Sequence, residues 1–143
     1  MKPLVVPGRL ESLAEIRKHV QAAAAEAGLN TKDAYRLALA VDEVATNIIT
    51  HGYAEAGREG TVDVMTDADN DHLTVALEDS GVAFDPTEAR QLDIDRPVEE
   101  RKAGGMGIYL AIRGVDRFEY QRVGSKNRNI FIMNRRHASS GEA

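Results

Sequence analysis

Hydrophobic and polar positions alternate along this chain in blocks that change period, and each change marks a new element. Leu4-Val5-Val6 is a short apolar run that reads as a strand. From Leu10, the residues Leu13, Ile16, Val20, Ala23 and Ala24 recur at helical spacing until Gly28 ends the run. A second helix follows, capped by Asn30 or Thr31, with Leu37, Val41, Val44 and Ile48 as its apolar stripe and its end near Gly52. The period then falls to two. Thr61 to Met65 and Leu73 to Leu77 flank the turn-forming segment Asp67-Ala68-Asp69-Asn70-Asp71, which describes an antiparallel hairpin. Ser80 to Gly105 is rich in Gly, Pro and charge and reads as a long loop containing one helical turn, a length that usually serves function. A helix through Ile108, Leu110, Ala111 and Val115 leads to two last strands, Arg117 to Arg122 and Asn129 to Asn134. Strand, two helices, hairpin, loop, helix and hairpin together predict an α+β fold. Its architecture is a two-layer sandwich, with one mixed, mainly antiparallel sheet covered by helices on one face.

Size and charge narrow what such a sandwich can do. The 143 residues suit one domain, taken as residues 1–136 with 137–143 as a flexible tail. Eighteen basic residues against 23 acidic leave a net charge of −5, which argues against direct binding of nucleic acid or an anionic membrane. Cysteine is absent, so thiol nucleophiles and thiolate metal sites are excluded. The four histidines, His19, His51, His72 and His137, have no zinc spacing. Asp67, Asp69, Asp71 and Glu78 imitate a calcium loop, but its sixth position is His72 instead of glycine and a strand fills its second half. The opening residues carry neither the charged start nor the apolar stretch of a secretory leader, and the expected location is the cytoplasm.

Three clusters carry candidate chemistry. Glu43, Asn47 and His51 are four residues apart and rise along one face of the second helix. A carboxylate there can take a proton, and an amide oxygen one turn on can ligate a hard cation. Glu78 to Pro86 sits where a strand ends, so Asp79 can point into a pocket and accept from an amine, with Gly81 admitting a flat ligand. Turn formers dominate that cluster, and an ordinary turn is its plain alternative. Gly104-Gly105-Met106-Gly107 precedes a helix whose N-terminal amides and dipole favour phosphate. No Gly-Lys-Ser/Thr follows, so this is not a Walker loop. A cation ligand, an amine acceptor and a phosphate cradle in that order are what an ATP·Mg²⁺ site requires.

At these residues the chain resembles a known family. Val41 to Tyr53, with Glu-x-x-x-Asn followed by His-Gly-Tyr, looks like the N box of the GHKL ATPase/kinase superfamily, in the variant of bacterial anti-sigma-factor serine kinases. Asp79-Ser80-Gly81 with Phe84-Asp85-Pro86 resembles its G1 box, and Gly105 to Leu110 its G2 box. The resemblance spans Leu4 to Arg136 and implies the GHKL ATP-binding fold. It implies Glu43 as the catalytic base and Asn47 as the Mg²⁺ ligand. Asp79 would bind the adenine amino group, Gly81 would make room for the ring, and Gly105, Met106 and Gly107 would line the nucleotide site. The loop from Asp85 to Gly104 would be a mobile lid, and Arg101 or Lys102, by position and charge, would reach the γ-phosphate. One departure bears on nucleotide affinity: Asn127-Arg128-Asn129 stands where the family often has Gly-Thr.

The resemblance also implies an activity: transfer of phosphate from ATP to a serine or threonine of a small anti-sigma-factor antagonist, with sequestration of a sigma factor or similar regulatory protein. A homodimer through the N-terminal strand and helix is expected on the same ground. A second reading, an ATP-gated partner-switching module without phosphoryl transfer, is disfavoured by Glu43, since a pure binder needs no base.

Overall fold

The structure is a computed structural model and describes residues 1–88 and 105–135. Eight principal elements follow in chain order: β1 (Leu4–Pro7), α1 (Leu13–Glu26), α2 (Thr31–Asn47), β2 (Thr61–Ala68), β3 (His72–Asp79), α3 (Gly105–Ile112), β4 (Arg117–Val123) and β5 (Lys126–Asn134). Short 3-10 turns occupy Leu10–Ser12 and Pro86–Glu88, and α2 runs on into a π-helical turn over Ile48–Ala54.

The apolar stripes explain the layering. Ile16, Val20, Ala23 and Ala24 of α1 and Leu37, Ala40, Val41, Val44 and Ala45 of α2 are buried. They cover the inward residues of the sheet, Val62 and Val64 of β2, Leu73, Val75 and Leu77 of β3, and Phe131 and Met133 of β5. Asn30 caps α2: its side chain accepts from the Asp33 amide at 2.8 Å, satisfying a first-turn N–H that has no helical partner.

The five strands lie in the order β1-β2-β3-β5-β4, and every pairing is antiparallel. The two hairpins therefore join through β3 and β5 at the middle of the sheet. Their register sets Asp79 opposite Asn127 and Leu77 opposite Asn129. β1 pairs within the chain, Leu4 with Val64 and Val6 with Val62, and its outer edge has no partner among the described residues. Leu4 and Val6 point inward, leaving Val5 exposed.

The acidic imitation of a calcium loop proves to be a hairpin turn: Asp69 accepts from the amides of Asp71 and His72, and Glu78 pairs with Arg128 and Lys126. No helix among the described residues is long and apolar enough to cross a membrane.

Candidate active site

Between the C-terminal end of α2 and the adjoining ends of β3 and β5 lies a cleft of about 100 Å³. Val44, Asn47 and Ile48 form one wall, Val82, Phe84 and Pro86 the opposite one, and Asp79, Asn127 and Asn129 the floor. An apolar lining around a few converging polar groups is typical of small-ligand sites.

Asp79, the last residue of β3, is 3% exposed. Oδ1 accepts from the Gly81 amide at 2.8 Å and from Asn127 Nδ2 at 3.0 Å. Oδ2 is equally buried and has no hydrogen-bond partner. Burial pushes the pKa of Asp79 up, against the Asn127 and Gly81 hydrogen bonds and the nearby Arg122 charge, which pull it down. A buried carboxylate oxygen left open toward a cleft is costly to the protein alone, and it accepts readily from a donor brought by a ligand.

Asn127 holds that arrangement. Its Nδ2 also donates to the carbonyls of Gly81 at 3.3 Å and Val82 at 3.1 Å. Its Oδ1 accepts from the Tyr120 hydroxyl and from Arg122 Nη1, the latter at 3.1 Å. One amide thus ties β3, β4 and the loop after Asp79 together.

The π-helical turn braces the other side. The Tyr53 hydroxyl donates to the Thr61 carbonyl at 2.7 Å and accepts from the Ser80 amide at 2.8 Å. The Gly52 carbonyl accepts from the Val82 amide at 3.1 Å. Gly81 packs on Gly52 so closely that an added Cβ would lie 2.8 Å from the Gly52 oxygen and 2.9 Å from its carbon. The close approach at Gly81 is therefore to the protein's own backbone.

Asn47 lines the cleft, and Glu43 stands one turn before it on α2; both are half-buried. A Cβ on Gly107 would stand 3.0 Å from Glu43 Oε1, so the carboxylate lies against the first turn of α3. Gly105 opens that helix. Glu43 forms no hydrogen bond or ion pair with any described residue. His51 is exposed, with Nδ1 2.7 Å from Glu55 Oε1. Among the described residues no three His, Asp or Glu side chains cluster as a metal cage. Arg101 and Lys102 lie outside the described residues, as do the side chain of Met106 and most of the loop from Asp85 to Gly104.

Sequence spacing brought out Glu43, Asn47, Asp79 and the glycines. It missed Asn127 and Asn129 as inward-facing residues, along with the bracing by Tyr53. Stepping back by twos from Met133 and Phe131 reaches both asparagines, but Asn127 falls before the predicted strand and Asn129 at its start carries no apolar signal.

A two-layer sandwich with a buried strand-end carboxylate and a helix-borne amide in its cleft, and an acid one turn along that helix against a glycine-led helix, defines an ATPase domain of the kinase-like type. Residues 6–134 match the histidine kinase-like ATPase domain, and the chain belongs to that family. It is 31% identical over 109 residues to the serine-protein kinase RsbW of Bacillus cereus strain AH187, covering 73% of this chain and 67% of that protein. To the serine-protein kinase RsbW of Halalkalibacterium halodurans it is 28% identical over 120 residues, covering 81% and 72%. The histidine kinase domain of the Erythrobacter litoralis EL346 blue-light activated histidine kinase shares its fold, with a TM-score of 0.55 at 17% identity over 86% of this chain and 61% of that one.

Proposed function

We propose that this chain is an ATP-dependent protein serine/threonine kinase of the anti-sigma-factor type. The observation that carries the reading is the buried Asp79 Oδ2, which lines the cleft without a hydrogen-bond partner, together with Glu43, which lies against the start of α3 one helical turn before the cleft-lining Asn47. The first suits an exocyclic amine. The second suits a hydroxyl that must lose a proton. The names of the serine-protein kinase relatives support the same acceptor chemistry.

On this reading Asp79 takes a hydrogen bond from the adenine amino group, and Gly81 keeps the cleft floor tight beneath the ring. The amides of Gly105, Met106 and Gly107, in the first turn of α3, have no helical acceptor and face the phosphates. Arg101 or Lys102 reaches the terminal phosphate. Asn47 would hold Mg²⁺, which supplies charge neutralisation at the phosphates; one amide oxygen is a fitting donor, since Mg²⁺ usually takes few protein ligands beside phosphate and water. Glu43 removes the proton of the acceptor serine as its oxygen bonds to the γ-phosphorus and the bond to the ADP oxygen breaks. Positioning and electrostatics do the rest.

The acceptor would be a small anti-sigma-factor antagonist, and a sigma factor or similar regulatory protein would be held in alternation with it, in the cytoplasm. Residues 1–136 would act as a single domain, with 137–143 as a tail. The outer edge of β1, which has no partner among the described residues, supports a homodimer through the N-terminal strand and helix.

The test is γ-phosphate transfer with Mg²⁺ and candidate antagonist proteins. Label should appear on a partner serine or threonine. Glu43→Ala should bind ATP as before and lose at least about 10²-fold in transfer, and Asn47→Ala should lose Mg²⁺-dependent ATP binding. ATP binding without label on any partner that binds would make the chain a nucleotide-gated binder instead.

A further inference from the structure

Three large apolar side chains on the helical layer face solvent: Tyr35 is 66%, Leu39 41% and Leu110 61% exposed. Tyr35, Leu39 and Glu43 are four residues apart, so they rise along one face of α2. Two contacts fix how α3 lies beside that face. A Cβ on Gly107 would stand 3.0 Å from Glu43 Oε1, and one on Gly114, just past α3, would stand 3.9 Å from Arg36 Cβ. The two helices are therefore antiparallel, and Leu39 and Leu110 fall midway between the contacts, on a seam that runs up to Glu43. Single exposed leucines are ordinary, whereas an apolar patch rimmed by polar groups marks a surface that another molecule covers. The rim here is positive. Lys32, Arg36 and Arg113 are exposed, and none forms an ion pair with a described residue. Arg113 lies instead over the Tyr109 ring, 5.5 Å from its centroid. A chain of net charge −5 thus turns uncompensated positive charge outward around this seam.

We propose that the α2–α3 seam is the docking surface for the protein that accepts the phosphate. An apolar patch of that protein covers Tyr35, Leu39 and Leu110, and acidic residues around it meet Lys32, Arg36 and Arg113. This rests on the kinase reading and deepens it by naming what holds the acceptor. A bound nucleotide would occupy the cleft, so the serine must reach Glu43 from outside, and the seam leads to that carboxylate along the same helix face. Aromatic and aliphatic anchors at the centre of such a surface supply affinity, while rim charges speed encounter and select the partner. The apolar centre fits a protein surface; a nucleic acid or polyphosphate would leave it uncovered.

The experiment measures KM and kcat for the antagonist protein that wild type labels in the transfer assay, beside ATP affinity by calorimetry and sedimentation of the full chain. Wild type, Leu39→Asp, Leu110→Asp and the double variant Arg36→Glu/Arg113→Glu are compared, each checked for folding by circular dichroism. Each leucine variant should raise the acceptor KM by about tenfold, as loss of an interface anchor does, with kcat and ATP affinity unchanged. Wild-type KM should rise with salt, and the arginine double variant should raise KM at low salt and flatten that dependence. Tyr35→Asp replaces either leucine variant that does not fold. Wild-type KM in every variant would overturn the proposal and leave the kinase reading standing. Loss of ATP affinity in step with KM would assign the seam to the nucleotide site and overturn it as well. So would a wild-type dimer that the leucine variants turn into monomers, since a second copy would then be the occupant. If wild type labels no acceptor, the kinase reading fails and this inference with it.

Discussion

At the scale of single residues, Asp79 shows a conflict between stability and binding. Burial raises its pKa above the ordinary value of 3.8, so the folded chain holds the proton more tightly than the unfolded one. Stability from this group is fully present below that ordinary value and is lost as pH rises through the raised one. Asp79→Asn keeps an oxygen for the Gly81 and Asn127 donors and removes the buried charge. The variant should therefore gain on wild type in urea unfolding as pH rises through that window. Its ATP affinity should fall by about 10²-fold, because a donor would then face the base's amine where a carboxylate stood. A variant no more stable than wild type at neutral pH would show that the charge costs the fold nothing. Much of this residue-level chemistry was visible in spacing, since Glu43 and Asn47 rise one turn apart and Asp79 follows an apolar strand. The inward placement of Asn127 and Asn129 was not, because it comes from residues about fifty positions away across the β3–β5 ladder.

At the scale of elements, the stripes on α1 and α2 and the alternation in the strands predicted the right order, and the ends of elements carried the surprises. The sequence reads the second helix as continuing to Gly52, whereas α2 ends at Asn47 and the chain widens into a π-helical turn. Such turns are rare and frequently lie at functional sites. Here the turn is braced by bonds to other parts of the chain: Tyr53 to Ser80 and Thr61, Gly52 to Val82. No local propensity encodes those contacts. Likewise β5 begins at Lys126, three residues before the start that the sequence predicts at Asn129, because pairing with Glu78 and Asp79 extends it. The bracing gives a prediction at this scale. Gly81→Ala would drive a methyl group into the Gly52 backbone, which no rotamer change can relieve. It should cost about 1–3 kcal/mol in chemical denaturation and weaken ATP binding as the loop after Asp79 shifts. An alanine variant with wild-type stability would mean that the π-helical turn yields to it.

For the whole molecule, the cleft is made where the two hairpins join, so it exists only once the central β3–β5 pair has formed. A ligand bound there stabilises the entire fold by mass action, about 2.7 kcal/mol at a hundredfold excess over Kd. Saturating ATP with Mg²⁺ should accordingly raise the unfolding temperature of wild type by several degrees and leave that of Asp79→Asn nearly unchanged, as differential scanning calorimetry would show. An equal rise in both would locate the stabilising ligand elsewhere. The charge balance and the covered sheet face were legible from composition and pattern, as was the layered architecture; the meeting point of the hairpins was not, since antiparallel strands can be ordered in several ways. That meeting point divides labour between the layers. Groups suited to recognising a base, Asp79, Asn127 and Asn129, belong to the sheet, and those suited to moving a phosphoryl group, Glu43, Asn47 and the start of α3, belong to the helices. A fold so partitioned is open to separate inheritance of its two halves: drift in the strands could retune which nucleotide is consumed while the helices went on handling the same acceptor, and a designer could vary either layer alone.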